Sequence, residues 1–320
     1  MIRWSYAINQ FKPQFDDFAR RRQHQRALRI VSVSGFDAVE LTAGTGRWEP
    51  LGNPDQLTAN FGSPAGFGEF VREAALQGVS SWYWDPSIRF HEDLTHGHDP
   101  LDEAAIPGLI RHARWFAGAL AQVGGDVLVV RPAPSGAHGA LDDEAIARLA
   151  HAWTEVAHAI AEDGVRLALH FDFLSALRLD DGLERLLAAT GPEVGLALDT
   201  AEFAIAGIDP VGFLRRYPDR VTHVHLKNAT VRDELEEFTQ PAAEYTVLRA
   251  GGSRVVPRWF LELGEAGLVD ASAFVSALVE TGYAGWVVVE SDFTPHPATS
   301  VMLNGWQVQR VLRPLTESAE

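Results

Sequence analysis

The chain has 320 residues, of which 46% are hydrophobic, so it is long enough for one large domain or two average ones with a substantial core. Its formal net charge of −16 argues against general binding to nucleic acid or anionic membranes, and the absence of cysteine excludes disulfides, thiolate metal ligands and a cysteine nucleophile. Because the N-terminus lacks the apolar core of a secretory signal and no run approaches the about 20 apolar residues of a membrane span, we expect a cytoplasmic protein.

Strand-like and helix-like segments alternate along the chain. Short apolar or alternating runs predict strands at Trp4–Ile8, Ala38–Thr42, Val79–Trp84, Val127–Arg131, Val165–Asp172, Val194–Asp199, Thr222–Asn228 and Gly285–Glu290. Apolar residues at helical spacing predict helices at Asp16–Ser34, Gly66–Gln77, Leu101–Val123, Asp142–Asp163, Ala176–Ala189, Gly207–Tyr217, Asp270–Thr281 and Ala298–Leu312. Eight such units without a linker or a composition shift favour a single closed (β/α)₈ barrel, a TIM barrel, over residues 1–320.

Three irregular segments interrupt this alternation. The Gly/Pro-rich stretch from Gly44 to Pro64 contains Gly-Thr-Gly, which we interpret as a turn or substrate loop because the other features of a phosphate loop are missing. The histidines between His91 and His98 lie in a polar stretch without a regular scaffold, so we expect a solvated loop there. The insertion at about 228–258 is long enough to predict a lid or a subunit contact.

Polar residues concentrate at or just beyond the C-terminal ends of the predicted strands, where TIM barrels place their catalytic groups. They are Asn9, Glu40, Arg131, His170, Asp172, Asp199, His225, Lys227 and Glu290. Three of them, Asp199, His225 and Glu290, end consecutive strands, and carboxylate and imidazole ligands suit a divalent cation such as Mn²⁺, Mg²⁺ or Zn²⁺. Structural roles stay open: Glu40 pairing with Arg131, His223 as a hydrogen-bonded residue inside the barrel, and Asp199 as a helix cap.

Four runs resemble the xylose isomerase-like (β/α)₈ superfamily of sugar phosphate isomerases, epimerases and inosose dehydratases. They are Gly195–Thr200, His223–Asn228, Leu263–Glu265 and Gly282–Glu290. The resemblance implies a divalent metal, often Mn²⁺ but also Mg²⁺, Co²⁺ or Zn²⁺, and a small sugar or glycoside as substrate. Carried over residue by residue, Asp199, His225 and Glu290 match three of the four usual metal ligands.

The fourth ligand position departs from the pattern. Where the isomerases and epimerases carry a glutamate near the end of strand five, this chain has Leu-His-Phe-Asp, so His170 or Asp172 must complete the site. A two-base epimerase loses one partner without that glutamate. In addition, Glu202 stands where the family usually has a histidine, and Asn228 replaces an aspartate.

The remaining groups suit removal of a proton next to a ketone from one side, followed by loss of a leaving group. His170 is the expected base, and Lys227 or Arg131 is expected to stabilise the enolate oxygen. Within the superfamily this describes lyases, namely inosose dehydratases and the catalytic subunits of C-glycoside deglycosidases, which eliminate an aglycone from a 3-keto-glycoside. The runs Ser5–Lys12 and Val39–Gly52 resemble the second group more, which implies a small β subunit or a homo-oligomer.

Substrate contacts are expected from Asn9, Glu40, Trp48 and Trp84. The aromatic residues near the mouth, Trp48, Trp82, Tyr83 and Trp84, are placed either to stack on a flat aromatic aglycone or to pack within the loops. Two other readings stay open. One is a sugar isomerase or epimerase, which an aldose–ketose exchange assay would reveal. The other is a non-catalytic carbohydrate-binding barrel or an endonuclease, although the net charge of −16 disfavours binding to DNA.

Overall fold

The strands of this computed structural model form a closed parallel barrel. The structure describes residues 1–11, 17–43, 51–87, 98–233, 260–292 and 294–317. Within these ranges the barrel strands are β1 (Arg3–Ala7), β2 (Ala38–Thr42), β3 (Gly78–Trp84), β4 (Val127–Val130), β5 (Arg166–His170), β6 (Val194–Asp199), β7 (Val221–Leu226) and β8 (Trp286–Val289). Each strand pairs with its neighbours in the chain, and β1 closes the ring against β8. The predicted (β/α)₈ barrel is confirmed.

Helices follow the strands and cover the outside of the barrel. The described helices are α1 (Asp17–Val33), α2 (Pro54–Phe61), α3 (Pro64–Arg72), α4 (Ile106–Gln122), α5 (Asp143–Ala161), α6 (Gly182–Ala189), α7 (Thr200–Ile205), α8 (Pro210–Arg216), α9 (Ala271–Glu280), α10 (Pro297–Gln307) and α11 (Arg313–Glu317). A π-helical turn, Val308–Leu312, joins the last two, and Asn228–Ala229 pairs with Phe260–Leu261 in a short antiparallel ladder outside the barrel. No helix in these ranges combines the length and the hydropathy of a membrane span.

Helix α7 was not predicted at all, and α2 and α6 also differ from the sequence prediction. Helix α2 lies in a stretch that was predicted as a loop; the Asn53 side chain accepts a hydrogen bond from the N–H of Gln56, and Pro54 occupies the first helical position. Helix α6 begins later than predicted because Asp180 and Asp181 have positive φ values of 49° and 53°, which interrupt the helix that was expected from Ala176.

The large aromatic side chains pack between the barrel and its helices. Trp82 and Trp84 are fully buried, and their rings lie 5.0 and 5.7 Å from the ring of Phe116 on α4. The barrel interior instead contains small side chains, among them Ala168 and Ala197. These small residues leave room inside the barrel for polar side chains near its C-terminal end.

Candidate metal centre and active site

A cavity of about 370 Å³ lies at the C-terminal end of the barrel, where the family of folds places its ligands. Its lining combines charged groups with an apolar side. The lining residues are Asn9, Thr42, Tyr83, Asp85, Arg131, His170, Asp172, Phe173, Leu174, Glu202, His225, Lys227, Phe260, Glu290 and Asp292.

Asp199 is the C-terminal residue of β6 and uses its two carboxylate oxygens differently. Oδ1 caps helix α7 by accepting hydrogen bonds from the backbone N–H groups of Ala201 and Glu202, at 2.9 and 3.0 Å. Oδ2 lies 3.0 Å from Lys227 Nζ and 3.4 Å from His170 Nε2. Burial raises the pKa of Asp199, but Lys227 and His170 together hold it below its usual range. Asp199 is therefore both a helix cap and an anionic group of the site.

The geometry places His170, and not Asp172, beside Asp199 and His225 in the candidate metal site. His170, Asp199 and His225 each direct one potential ligand atom to a common place, with these atoms within 4.8 Å of one another. Asp172 instead accepts a hydrogen bond from Arg131 Nε at 3.1 Å. Burial lowers the pKa of His170, which keeps its imidazole neutral and able to accept a proton or bind a metal.

His225 presents one ring nitrogen to the carboxylates of the site. A register shift after Leu196 aligns Asp199 with His225 across the β6–β7 pair. His225 Nδ1 is buried, has no hydrogen-bond partner among the described residues, and lies 3.8 Å from Asp199 Oδ2 and 3.7 Å from Glu290 Oε2. A nitrogen without a partner beside two carboxylates fits a divalent metal, so the donor set Asp199, His225, Glu290 and His170 is chemically suitable for one.

Lys227 contributes a buried ammonium to the same place. Its Nζ lies 2.7 Å from Asp292, 3.0 Å from both Asp199 and Glu290, and 3.4 Å from Glu202. Burial lowers the pKa of Lys227, but these carboxylates raise it well above its usual value, so the side chain is charged. Four carboxyl groups surround this one ammonium, so the site can supply oxygen ligands to an additional cation.

Glu202 is a site residue that the sequence prediction missed. It lies one helical turn after Asp199 and lines the cavity, and its Oε2 accepts a hydrogen bond from the N–H of Phe173 at 3.0 Å. Burial raises the pKa of Glu202 to about 8 and that of Glu290 to about 7. The substitution of Glu202 for the family's usual histidine was the only sequence signal that pointed to it.

Arg131 and Asn9, which the sequence predicted as site residues, both line the cavity. Each has carboxylate partners. Arg131 bonds Asp172 through Nε and lies 3.4 Å from Asp85 through Nη1. Asn9 Nδ2 donates to Glu290 Oε1 at 2.7 Å and to Asp292 Oδ1 at 2.9 Å. Asn9 therefore orients Glu290 in addition to facing the cavity.

Glu40 does not line the cavity, which contradicts its prediction as a substrate contact. Its carboxylate is 1% exposed and lies deeper in the barrel, 3.1 Å from the Nε2 atoms of both His223 and His225. It does not pair with Arg131 either. His223 is also fully buried and bonds only within this layer among the described contacts, as its alternative reading expected.

The predicted contact from Trp84 is not supported. Trp84 faces the helix layer and is fully buried, since alternation along β3 directs Tyr83, not Trp84, toward the cavity. The Tyr83 ring lies edge-on to the ring of His170, with centroids 5.3 Å apart. Trp48, the stretch Gly44–Gly46 and His91 lie outside the described residues, as does most of the insertion at 228–258.

Comparison with known proteins identifies the family. The model of the xylose isomerase-like TIM barrel family matches residues 28–303. The chain belongs to this family. A rhizopine catabolism protein, MocC, from Rhizobium meliloti is 34% identical over 149 residues, which is 46% of this chain and 43% of that protein. An inosose dehydratase from Geobacillus kaustophilus is 31% identical over 163 residues, 50% of each chain.

The curated relatives match only part of the chain, whereas the solved structures match its whole fold at low sequence identity. The chain spans about half the length of the first two relatives that it matches. The crystal structure of an IolI protein with a bound zinc atom aligns over 99% of both chains with a TM-score of 0.66 and 15% identity. At this identity the likeness establishes a shared family fold.

Proposed function

We propose that this protein is a metal-dependent lyase that removes a proton next to the ketone of a neutral keto-sugar and expels a leaving group. The specific reaction that we propose is cleavage of 3-keto-glycosides, in the manner of C-glycoside deglycosidases. The observation that carries this proposal is His170, a buried imidazole with a lowered pKa at the position where a two-base epimerase needs a carboxylate.

Asp199, His225 and Glu290 would hold the metal, and His170 would lie beside it with its one lone pair left for the proton. When bound there, a divalent cation polarises the ketone and stabilises negative charge on its oxygen. Manganese and zinc both suit carboxylate and imidazole ligands, and the IolI protein of the same fold contains zinc.

Residues of the chain itself accept the proton, stabilise the charge of the enolate and position the metal ligands. His170 accepts the proton next to the ketone, since its imidazole is neutral and lines the cavity. Lys227 places a positive charge beside the same carboxylates and stabilises the enolate oxygen. Asn9 holds Glu290 in place through its 2.7 Å hydrogen bond. Tyr83 packs against the His170 ring and limits its rotation.

The charges of the lining support a neutral substrate. Among the described residues, the cations that line the cavity are Lys227 and Arg131, and each is paired with carboxylates. Because both cations already neutralise carboxylates, neither is left to bind a phosphate group on the substrate. This disfavours the sugar phosphate isomerase reading.

The apolar side of the cavity supports a substrate with an aglycone. Tyr83, Phe173, Leu174 and Phe260 line it together, and a bare cyclitol offers little surface to such a wall. Inosose dehydration is the second candidate, because inosose dehydratases are among the relatives and the same proton removal would then expel water.

Parallel assays distinguish these candidates. The purified, metal-loaded protein should release the aglycone from 3-keto-glycosides and incorporate solvent deuterium next to the ketone when the reaction runs in reverse. Dehydration of an inosose with no cleavage of any keto-glycoside would favour the second candidate. Epimerisation of a ketose with solvent exchange and no released product would refute both.

A further inference from the structure

Glu40 links two histidines of one strand beneath the proposed metal site. It is the third residue of β2, and its carboxylate lies 3.0 and 3.1 Å from His225 Nε2 through its two oxygens. Its Oε2 also lies 3.1 Å from His223 Nε2. All three side chains are almost completely buried, so water does not compete for these hydrogen bonds.

The position of Glu40 is fixed by a serine network. Ser81 Oγ donates to Glu40 Oε2 at 2.6 Å, and Ser81 is linked to Ser80, whose Oγ lies 2.7 Å from Ser5 Oγ. A register shift between Val39 and Glu40 brings Ser81 opposite Glu40 across the β2–β3 pair. The local irregularity of the sheet therefore orients this carboxylate.

This arrangement determines which nitrogen of His225 is available at the cavity. A carboxylate only accepts hydrogen bonds, so His225 Nε2 must carry the proton that it donates to Glu40. The lone pair is then left to Nδ1, the atom that lies beside Asp199 and Glu290. A metal-binding histidine commonly has its other nitrogen fixed by a carboxylate in this way.

We propose that Glu40 is a positioning residue that fixes His225 with Nδ1 as the metal-binding atom, while His223 shares the same carboxylate and remains outside the metal site. The proposal rests on the metal site of the proposed function and not on the identity of the substrate. It assigns Glu40 no contact with the substrate, and it gives the buried charge of Glu40 a role in metal binding.

The variant Glu40→Gln tests this role. It keeps the size of the side chain, but its amide can accept from one histidine only while it donates to the other. We expect its Mn²⁺ and Zn²⁺ affinities, measured by calorimetry, to fall about 10–100-fold, the usual cost of losing an outer carboxylate partner. The matched control Ser81→Ala removes one hydrogen bond from the same carboxylate without touching the histidines, and its metal affinity should change less.

A measurement on the unmodified protein does not depend on how the variant folds. In the Zn²⁺-loaded wild type, ¹⁵N NMR of the histidine side chains should find the His225 proton on Nε2 and zinc on Nδ1. Zinc on Nε2, equal metal affinity of wild type and Glu40→Gln, or two ions per chain would overturn the proposal, because each would make Glu40 a bystander or a ligand. A wild type that binds neither ion would overturn the proposed function together with this inference.

Discussion

Two layers of the barrel contain the same type of side chain and differ in what surrounds it. The mouth cluster comprises His170, Asp199, His225, Lys227 and Glu290, and the inner layer comprises Glu40, Ser81 and His223. His225 and His223 lie two residues apart on β7, and both face Glu40. Only His225 also reaches the carboxylates of Asp199 and Glu290. The two histidines therefore differ in their depth along β7 and not in residue type. The outer one, His225, is the proposed metal ligand, and the inner one, His223, is not.

The layers also differ in their charge balance. In the inner layer the carboxylate of Glu40 accepts hydrogen bonds from two imidazoles. Burial raises the pKa of Glu40, but the two histidines hold it far below its usual range. In the mouth cluster and beside it, carboxylates outnumber the Lys227 ammonium. The inner layer pairs its one carboxylate with two imidazoles, whereas the mouth cluster gathers several carboxyl groups whose protons a divalent cation would displace. The first three predictions below change the mouth cluster and leave the inner layer intact.

The largest effect is expected from Asp199→Asn in the mouth cluster. Asparagine keeps the side-chain oxygen that caps α7 but loses the negative charge, so metal affinity should fall by more than the about 10–100-fold typical of an outer-shell change. Turnover should be lost with the metal. The matched control is Asp209→Asn, which caps α8 away from the cavity in the same manner. Metal analysis that finds unchanged content in Asp199→Asn would place the site elsewhere.

The next effect concerns proton removal by His170. Replacement of His170 by Ala should lower turnover about 10²–10⁴-fold if the imidazole accepts the proton, and further if it binds the metal instead. Metal content of the same variant separates these two roles. His151→Ala, on the exposed face of α5, is the control and should leave turnover unchanged. Full activity of the His170 variant on the proposed substrate would remove this residue from the mechanism.

Lys227→Met tests the charges of the mouth cluster through the free energy of unfolding. The variant leaves buried carboxylates without their ammonium, so the metal-free protein should lose about 3–5 kcal/mol of unfolding free energy. Added Mn²⁺ should restore more stability to the variant than it adds to the wild type, because it offsets the same charges. Denaturant titrations with and without Mn²⁺ measure this difference. Equal stabilisation of both proteins by Mn²⁺ would argue that the ion binds away from these carboxylates.

A smaller effect is expected from pH. Burial lowers the pKa of His225, but Glu40, Glu290 and Asp199 raise it to about 9. Because a metal must replace the proton on Nδ1, affinity should rise about tenfold per pH unit as the pH approaches this value from below. Glu290, whose pKa burial raises to about 7, adds a second proton at lower pH. Calorimetry in buffers of different ionisation enthalpy should detect proton release, and its absence near pH 7.5 would contradict the ligand role of His225.

The smallest effect separates two neighbouring aromatic residues of β3. Tyr83 lines the cavity and touches His170, so Tyr83→Phe should change substrate affinity or turnover modestly through lost cavity contacts. Trp84→Phe should leave both unchanged and lower stability only, since Trp84 packs against Phe116 in the helix layer. Steady-state kinetics and thermal denaturation of both variants provide the measurement. A kinetic defect confined to Trp84→Phe would reverse this assignment.

The sequence predicted the barrel because strand and helix periodicities alternate, and it predicted the Asp199, His225 and Glu290 cluster because those residues end their strands. It did not predict the depth of Glu40, because depth depends on strand tilt and on the register shift after Val39. It placed Trp82, Tyr83 and Trp84 alike near the mouth, because the inward face of a strand is set by the neighbouring strands and not by its own alternation. Glu202 enters the site through the short helix α7, which was not predicted.

Anomalous diffraction from crystals grown with Mn²⁺ tests the central claim most directly. The account predicts one peak per chain at the barrel mouth, within coordination distance of Asp199, Glu290 and the Nδ1 atom of His225, with His170 as the fourth protein neighbour. A peak between Glu40 and His223, or no peak among these carboxylates at a saturating Mn²⁺ concentration, would contradict it.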